Sequence, residues 1–354
     1  MKKNYLITTG GSGGHVVPAT ILYDHLSKIS KVIISTDVRG LKYLDQNIYD
    51  FKVIDTPKLN NIILLPFKII KIFILILESF FLLKNMGIEK VFSTGGYMSL
   101  PVILAAKILR LEIYLLEPNQ VLGRANKYFL NSCKKILCYS KKIKNFPDKF
   151  KNKISITYPL VKENMYNLEL SDDNEKKFTL LIVGGSQGAD IFDKSLKNII
   201  VNLSKKTKIK VIHQTNKKNI PYLIDFYTYN NVENKIFSYD KNFFSYIQQA
   251  DLCITRAGAS TLAELSIMNT PFIAVPLPTS KDNHQFENAN YYEQNDCCWI
   301  VEQNYFEVDI EEVLKDILND KTNYLRKKEN LKKLNYQNTW INVNQKILKI
   351  INEN

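Results

Sequence analysis

Residues Cys253 to Asn290, "CITRAGASTLAELSIMNTPFIAVPLPTSKDNHQFENAN", are the stretch around which the chain is read. An apolar run ending at Thr255 suits a buried strand. It opens into Arg256-Ala257-Gly258-Ala259-Ser260, whose small residues let a backbone turn tightly and approach a ligand. Thr261 to Met268 has helix-forming composition, and Asn269-Thr270-Pro271 stops it. A second strand, Phe272 to Val275, leads into a Pro-rich loop carrying Asp282, His284, Gln285 and Asn288. Strand, small-residue turn, helix start and polar loop together make a phosphate and sugar site.

The same pattern extends outward from this stretch. Tyr5 to Thr9 is a β-prone run followed by Gly10-Gly11-Ser12-Gly13-Gly14-His15, and Pro18 stands where a helix can begin, continued by Ala19 to Ile29. Strands follow at Val32 to Ser35, Val53 to Ile54, Lys90 to Ser93 and Glu112 to Leu116. The third of these runs into Thr94-Gly95-Gly96-Tyr97, with a helix at Pro101 to Leu109. The fourth leads to Glu117-Pro118-Asn119-Gln120. The polar, acidic segment Lys162 to Lys177 suits a domain boundary. Beyond it, Thr179 to Val183 enters Gly184-Gly185-Ser186-Gln187-Gly188. "YLITTGGSGG" at Tyr5 and "TLLIVGGSQG" at Thr179 are one strand-and-turn motif written twice. Further strands at Val211 to Gln214, Lys235 to Ser238 and Asp251 to Thr255 precede helices at Ile310 to Asn319, Tyr324 to Leu334 and Trp340 to Ile351. Strands alternating with helices predict an α/β chain of two doubly wound, Rossmann-like parallel sheets.

Composition sets bounds on function. A chain of 354 residues is too long for one small core, and 45% apolar content argues against gross disorder. Lys and Arg exceed Asp and Glu by 48 to 35, an excess of +13 that suits an anionic partner. The cysteines, Cys133, Cys138, Cys253, Cys297 and Cys298, form no CxxC pair, so reduced thiols are expected rather than a zinc or disulfide framework. The glycine turn begins too soon after Met1 for a signal peptide, and no run is long and apolar enough to span a bilayer. No DxD pair suited to holding Mg²⁺ on a nucleotide-sugar is present, which favours phosphate binding by backbone amides, with no metal and no cofactor.

Individual residues admit two readings. Neither glycine turn fits GxGxxG, so a dinucleotide fingerprint fails on spacing. His15, at the exit of its turn, is placed to act as a general base, or it bonds backbone. His25 and His213 read as structural. Thr261-x-x-Glu264 matches a capping box, with Glu264 bonded to a backbone amide; alternatively its carboxylate accepts both hydroxyls of a ribose.

"IILLPFKIIKIFILILESFFLL", Ile62 to Leu83, has a narrow stripe of Lys68, Lys71, Leu75 and Glu78 on helical spacing, with almost everything else apolar. Packing onto a sheet needs an apolar arc of about 100°. The surplus, including Phe67, Phe73, Phe80 and Phe81, marks either a helix covered on several sides or an exposed ridge. Arg124 to Lys153 carries Arg124, Lys127, Lys134, Lys135, Lys141, Lys142, Lys144, Lys149, Lys151 and Lys153 against Asp148 alone. Ridge and basic band together suit an anionic lipid surface. A nucleic-acid partner would leave the ridge unexplained.

With these pieces in order the chain resembles the MurG family of bacterial glycosyltransferases (glycosyltransferase family 28) over nearly its full length. The resemblance rests on "GGSGGHVVPA" at Gly10, "STGGYMSLP" at Ser93, "EPNQVLGRANKYF" at Glu117, "VGGSQGAD" at Val183, "HQT" at His213, "TRAGASTLAELSIMNTPFIAVP" at Thr255 and "DNHQFENA" at Asp282. It implies a GT-B fold, two Rossmann-like domains facing a central cleft. Residues 1–161 would form the acceptor and membrane-associated domain and 162–335 the donor domain, with 336–354 a closing helix returning to the first. It implies inverting, metal-independent transfer of N-acetylglucosamine from UDP-N-acetylglucosamine to lipid I at the cytoplasmic face of the inner membrane, with other cell-wall synthesis proteins as partners. By motif, His15 would be the base. Ser12, Gly13, Gly14, Asn119, Ser186, Asp240, Ala259, Ser260, Thr261, Leu262, Ala263, Glu264, Gln285 and Asn288 would bind the donor, and Tyr97 and Glu117 would lie on the acceptor side. Departures from the family pattern are Leu116-Glu117-Pro118-Asn119 for His-Glu-Gln-Asn, Tyr158-Pro159-Leu160-Val161 for Asn-Pro-Val-Arg, and Asp240 for an isoleucine. A glycosyltransferase acting on diacylglycerol or another polyprenyl lipid, and a UDP-sugar epimerase, share the donor half.

Overall fold

The computed structural model describes residues 3–57, 64–166, 177–185, 189–238, 240 and 243–353. Ser186, the Ile62-Ile63 start of the apolar segment and most of the acidic boundary segment therefore lie outside the described residues. The chain divides into two compact units, Met1–Leu160 with Ile341–Asn354, and Val161–Trp340.

Unit 1 runs β1 (Asn4–Thr8), α1 (Gly13–Leu26), β2 (Lys31–Thr36), β3 (Phe51–Val53), α2 (Leu65–Asn85), β4 (Ile88–Ser93), α3 (Leu100–Ile108), β5 (Glu112–Glu117), α4 (Arg124–Phe129), β6 (Lys135–Cys138) and β7 (Ile154–Ile156). Its strands are all parallel, in the order β3-β2-β1-β4-β5-β6-β7. Unit 2 runs β8 (Phe178–Val183), α5 (Asp190–Ser204), β9 (Ile209–Gln214), α6 (Ile220–Tyr229), β10 (Glu233–Phe237), α7 (Phe243–Gln249), β11 (Leu252–Thr255), α8 (Ala259–Ile267), β12 (Phe272–Ala274), α9 (His284–Gln294), β13 (Cys298–Ile300), α10 (Phe306–Asn319) and α11 (Lys321–Asn335). Its parallel order is β10-β9-β8-β11-β12-β13. A last helix, α12 (Trp340–Asn352), spans the boundary between the units.

Side-chain alternation explains why helices cover both faces of each sheet. In β8, Leu180 and Ile182 enter one core, with Phe192, Leu196 and Ile200 of α5, while Leu181 and Val183 enter another, with Leu262, Ala263 and Leu265 of α8. Strands buried on both faces read as unbroken apolar runs, as these do. In unit 1 one face holds Leu6, Val91, Ile113 and Leu115. The other carries Tyr5, Phe92 and Tyr114 in a row, with Phe92 and Tyr114 stacked at 5.2 Å. Over that side of the unit α12 buries Val343, Ile347, Ile350 and Ile351, worth roughly 6–12 kcal/mol before chain entropy is subtracted. The Ile351 carbonyl, left open at the helix end, accepts from Lys90 Nζ at 2.5 Å and Tyr114 OH at 3.2 Å. All five cysteines are free and buried.

Two expectations about helices need correcting. The helix expected from Pro18 starts at Gly13 with Ser12 as its cap, leaving Pro18 inside α1. The ring removes one amide from the ladder without ending the helix. On α2, Leu75, expected in the polar stripe, is buried with Ser79 and Leu83, and Phe80 packs on the core. Phe67, Ile69, Ile70, Phe73, Ile74, Leu77 and Phe81 stay exposed, so much of the apolar surface of this helix has no protein cover. Among the described residues no helix is long and apolar enough to cross a membrane.

Candidate active site

In an open parallel sheet, ligands collect at the carboxyl ends of the strands where the order reverses direction. That point falls between β1 and β4 in unit 1, and between β8 and β11 in unit 2. All three glycine turns, and the small-residue turn of the opening stretch, leave these four strands.

In unit 1 the early start of α1 puts His15 in the first helical turn, half-buried, with Nδ1 2.8 Å from the Thr94 carbonyl after β4. A carbonyl only accepts, so in the neutral ring Nδ1 carries the hydrogen and Nε2 keeps its lone pair. The backbone-bonded histidine and the basic histidine are thus one arrangement. Gly95 (φ +91°) is required beside it: a Cβ there would stand 3.3 Å from His15 Cε1, on a backbone that L-residues avoid.

An unpredicted pair organises the same place. Asp37, just past β2, is fully buried and accepts from the Gly11 amide at 2.7 Å and the Gly40 amide at 3.0 Å. Its second oxygen accepts from Arg39 Nε at 2.7 Å. Arg39 Nη2 donates to the Tyr97 hydroxyl, and the guanidinium lies 5.2 Å from the Tyr97 ring centre. Neither Asp37 nor Arg39 belongs to a motif; only the fold brings them to the glycine turn.

Glu117 ends β5, and its buried carboxylate serves its own loop. It accepts from the Gly123 amide at 2.7 Å, the Asn119 amide at 3.2 Å, Asn119 Nδ2 at 3.0 Å and Asn126 Nδ2 at 3.0 Å. Glu117 thereby shapes the Asn119 loop and seats the start of α4. The basic band is thinner than its sequence suggests. Lys153 donates to the Leu130 and Cys133 carbonyls, and Lys134 pairs with Glu112 at 2.5 Å, while Arg124, Lys127, Lys141, Lys142, Lys144, Lys149 and Lys151 are exposed.

In unit 2, α8 begins at Ala259 with Gly258, in extended conformation, as its cap. Thr261 is therefore inside the helix, and the capping box expected from Thr261-x-x-Glu264 does not form. Glu264 is half-buried on the face shared with Ser260 and Thr261. Burial pushes its carboxyl up to about 7, against the pull of the positive charge on Lys162. Val161, where an arginine was expected, is fully buried against Leu262, Ala263 and Leu265, which leaves exposed Lys162 as the neighbouring cation. Arg256 is largely buried and ties strand ends together, donating to the Val275 carbonyl at 3.1 Å and to Gln303 Oε1 at 2.6 Å.

The remaining expected residues divide. Gln285, in the first turn of α9, accepts from the Leu277 amide at 2.9 Å through Oε1, and its Nε2 has only donor chemistry to offer. Asn288 is buried and donates to the Ala257 carbonyl at 3.1 Å, so it braces the turn before α8. Asp240 accepts from the Tyr246 hydroxyl at 2.6 Å. His213 and His25 are both buried, as their structural reading requires. His213 Nε2 stands 3.1 Å from Asp193 of α5, whose other oxygen accepts from Thr215 at 2.5 Å and Asn219 at 2.7 Å. Among the described residues no cluster of three or more His, Cys, Asp or Glu forms a metal-type group.

Two parallel units, each with a glycine turn at its switch point, make a chain of two Rossmann-like domains. The crystal structure of Acinetobacter baumannii MurG matches with a TM-score of 0.77 at 23% identity, covering 98% of this chain and 99% of that one. The chain belongs to glycosyltransferase family 28: the family's N-terminal domain matches residues 5–138 and its C-terminal domain residues 179–339. The UDP-N-acetylglucosamine--N-acetylmuramyl-(pentapeptide) pyrophosphoryl-undecaprenol N-acetylglucosamine transferase of Pelagibacter ubique (strain HTCC1062) is 46% identical over 358 residues, covering all of both chains. The protein of the same name from Rickettsia canadensis (strain McKiel) is 35% identical over 310 residues, covering 85% of this chain and 86% of its own.

Proposed function

We propose that this chain transfers N-acetylglucosamine from UDP-N-acetylglucosamine to the C4 hydroxyl of the N-acetylmuramyl unit of lipid I, yielding lipid II. One observation carries this: end-to-end similarity, at 46% identity, to a relative whose name states that transfer. The chemistry needs a base for the acceptor hydroxyl, and His15 Nε2 supplies it. The hydroxyl attacks the anomeric carbon from the face opposite UDP, so the configuration inverts, and UDP departs as the diphosphate. Backbone amides at the start of α8 meet that developing charge without a metal.

In unit 2, the donor half, Glu264 accepts the ribose hydroxyls, since it stands half-buried in the second turn of α8 and forms no capping box. Ala259 to Ala263 form the turn and first helical turns beneath the nucleotide, and Gln285 reads the sugar through Nε2. Asn119, Ser186 and Asp240 complete the donor set. Asn288 belongs to it through the turn it braces. In unit 1, the acceptor half, Tyr97 meets the acceptor and Glu117 shapes the loop beside it.

The protein attaches peripherally to the cytoplasmic face of the inner membrane through the outer face of α2. Phe67, Ile69, Ile70, Phe73, Ile74, Leu77 and Phe81 would gain roughly 10–20 kcal/mol if fully buried, an upper bound for partial insertion. Each exposed cation of the basic band near anionic headgroups adds about 1 kcal/mol. Other cell-wall synthesis proteins are the partners expected there, and nucleic acid is not.

Labelled UDP-N-acetylglucosamine offered with lipid I and, separately, with diacylglycerol tests the assignment. Label in lipid I is expected; label entering diacylglycerol alone would overturn it.

A further inference from the structure

We infer that Arg39 is a positioning residue for the acceptor, acting through the hydroxyl of Tyr97, and that Asp37 holds it in that role. The inference rests on unit 1 being the acceptor half. A phenol oxygen both donates and accepts. Because Arg39 Nη2 donates to it, the Tyr97 oxygen is engaged as an acceptor, and its own hydrogen is left to point at a ligand oxygen. Arg39 thus turns Tyr97 into an oriented donor, and it sits against the ring as well, 5.2 Å from its centre. The guanidinium is itself fixed. Asp37 is fully buried, and its Oδ2 takes Arg39 Nε at 2.7 Å, while its Oδ1 takes the amides of Gly11 and Gly40. Oδ1 also occupies the space beside Gly10, where a Cβ would stand only 2.5 Å away. One carboxylate therefore links the turn that precedes His15 to the loop that carries Tyr97. Tyr97 follows two glycines at positive φ, Gly95 and Gly96, so its loop backbone does not hold the ring by itself. Arg39 supplies that constraint from a different strand end.

The ligand group is an oxygen acceptor on the lipid-linked sugar diphosphate, a phosphate or hydroxyl oxygen of the acceptor substrate. UDP-N-acetylglucosamine, whose proposed binding residues include neither Arg39 nor Tyr97, should be indifferent to the pair.

The test is a double-mutant cycle with R39M, Y97F and R39M/Y97F, measuring acceptor KM, donor KM and melting temperature, with R39K as the conservative variant. Y97F and R39M are each expected to raise acceptor KM about tenfold, the size of one hydrogen bond at a desolvated site, with donor KM within about twofold of the parent. The double variant should be no worse than Y97F, because Arg39 acts through that hydroxyl. R39K should recover part of the loss. Additive losses, or a normal acceptor KM in R39M beside a raised one in Y97F, would overturn the role of Arg39. A Y97F variant with unchanged acceptor KM would instead remove Tyr97 from the acceptor side and the underlying reading of unit 1 with it. Asp37→Asn is the more disruptive probe, since it also loosens the Gly11 turn; it and R39M, which strips the buried Asp37 of its cation, are both expected to raise acceptor KM and to lower melting temperature, whereas Y97F should do only the first and R39K should restore stability.

Discussion

Acidification from pH 8 to pH 6 is expected to weaken nucleoside binding by about tenfold, with Glu264 as the titrating group. Only the carboxylate accepts two hydroxyl hydrogens, and burial holds this carboxyl at about 7. Most molecules are therefore ionised at pH 8 and roughly one in ten at pH 6. The positive charge on Lys162 opposes that rise. The same burial works against the empty protein. The folded state binds this proton more tightly than the unfolded chain, so this group's contribution is most favourable below about 4.5 and is lost as pH rises through 7. The loss is about 2 kcal/mol once partial exposure is allowed for. Glu264→Gln should therefore do two opposite things at pH 8. It should weaken binding by roughly 10- to 100-fold and make it independent of pH, and it should raise the melting temperature of the unliganded protein by several degrees. Calorimetric titration with uridine is the suitable assay, because UDP brings a phosphate that titrates near 6. Uridine affinity that stays level from pH 6 to pH 8, or a variant that melts lower than the parent at pH 8, would refute this account of Glu264.

Other consequences are open to test. His15→Gln should lower kcat by roughly 10²- to 10⁴-fold with donor affinity retained; near-normal turnover would remove His15 as the base. Replacing Ile70 and Phe73 of α2 with Glu should release the protein from anionic vesicles in a flotation assay while leaving its melting temperature unchanged, because both side chains are exposed. His25 is buried, and burial pulls it down to about 4 against a hydrogen bond with Asn344 of α12. Its unfolded form protonates near 6.5, so the stability it contributes is present above 6.5 and is lost as pH falls from there to 4. About 3 kcal/mol is at stake, readable as a drop in melting temperature at pH 5 that His25→Leu should reduce.

Much of this was legible in the chain because parallel sheets announce themselves. Apolar runs such as "TLLIV" ending in glycine turns give strand, turn and switch point together, and the repeat of that motif points to two sheets. Helix starts were harder. Pro18 is a good first residue, and Thr261-x-x-Glu264 a good box, yet α1 and α8 begin earlier, where Ser12 and Gly258 take extended backbone angles that no residue type requires. Charge was the least legible. Lys134 and Lys153 count as basic in a sequence, but in the fold they serve Glu112 and the carbonyls of Leu130 and Cys133. Asp37 and Arg39 had no signal at all, since their partners Gly11 and Tyr97 lie far away in sequence.

The two aspartates of the switch points differ in a way that bears on engineering. In unit 1 the clasp on the glycine turn comes from the end of the neighbouring strand, at Asp37. In unit 2 the helix that follows the turn carries Asp193, which meets His213 inside the neighbouring strand β9 and Thr215 and Asn219 just past it. A graft of β1 and α1 into a related scaffold would leave its fastener behind. A graft of β8 and α5 would carry Asp193 along but leave its partners His213, Thr215 and Asn219 behind. Chimeras that take the start of unit 1 should therefore be cut no earlier than Gly40, and those that take the start of unit 2 no earlier than Asn219.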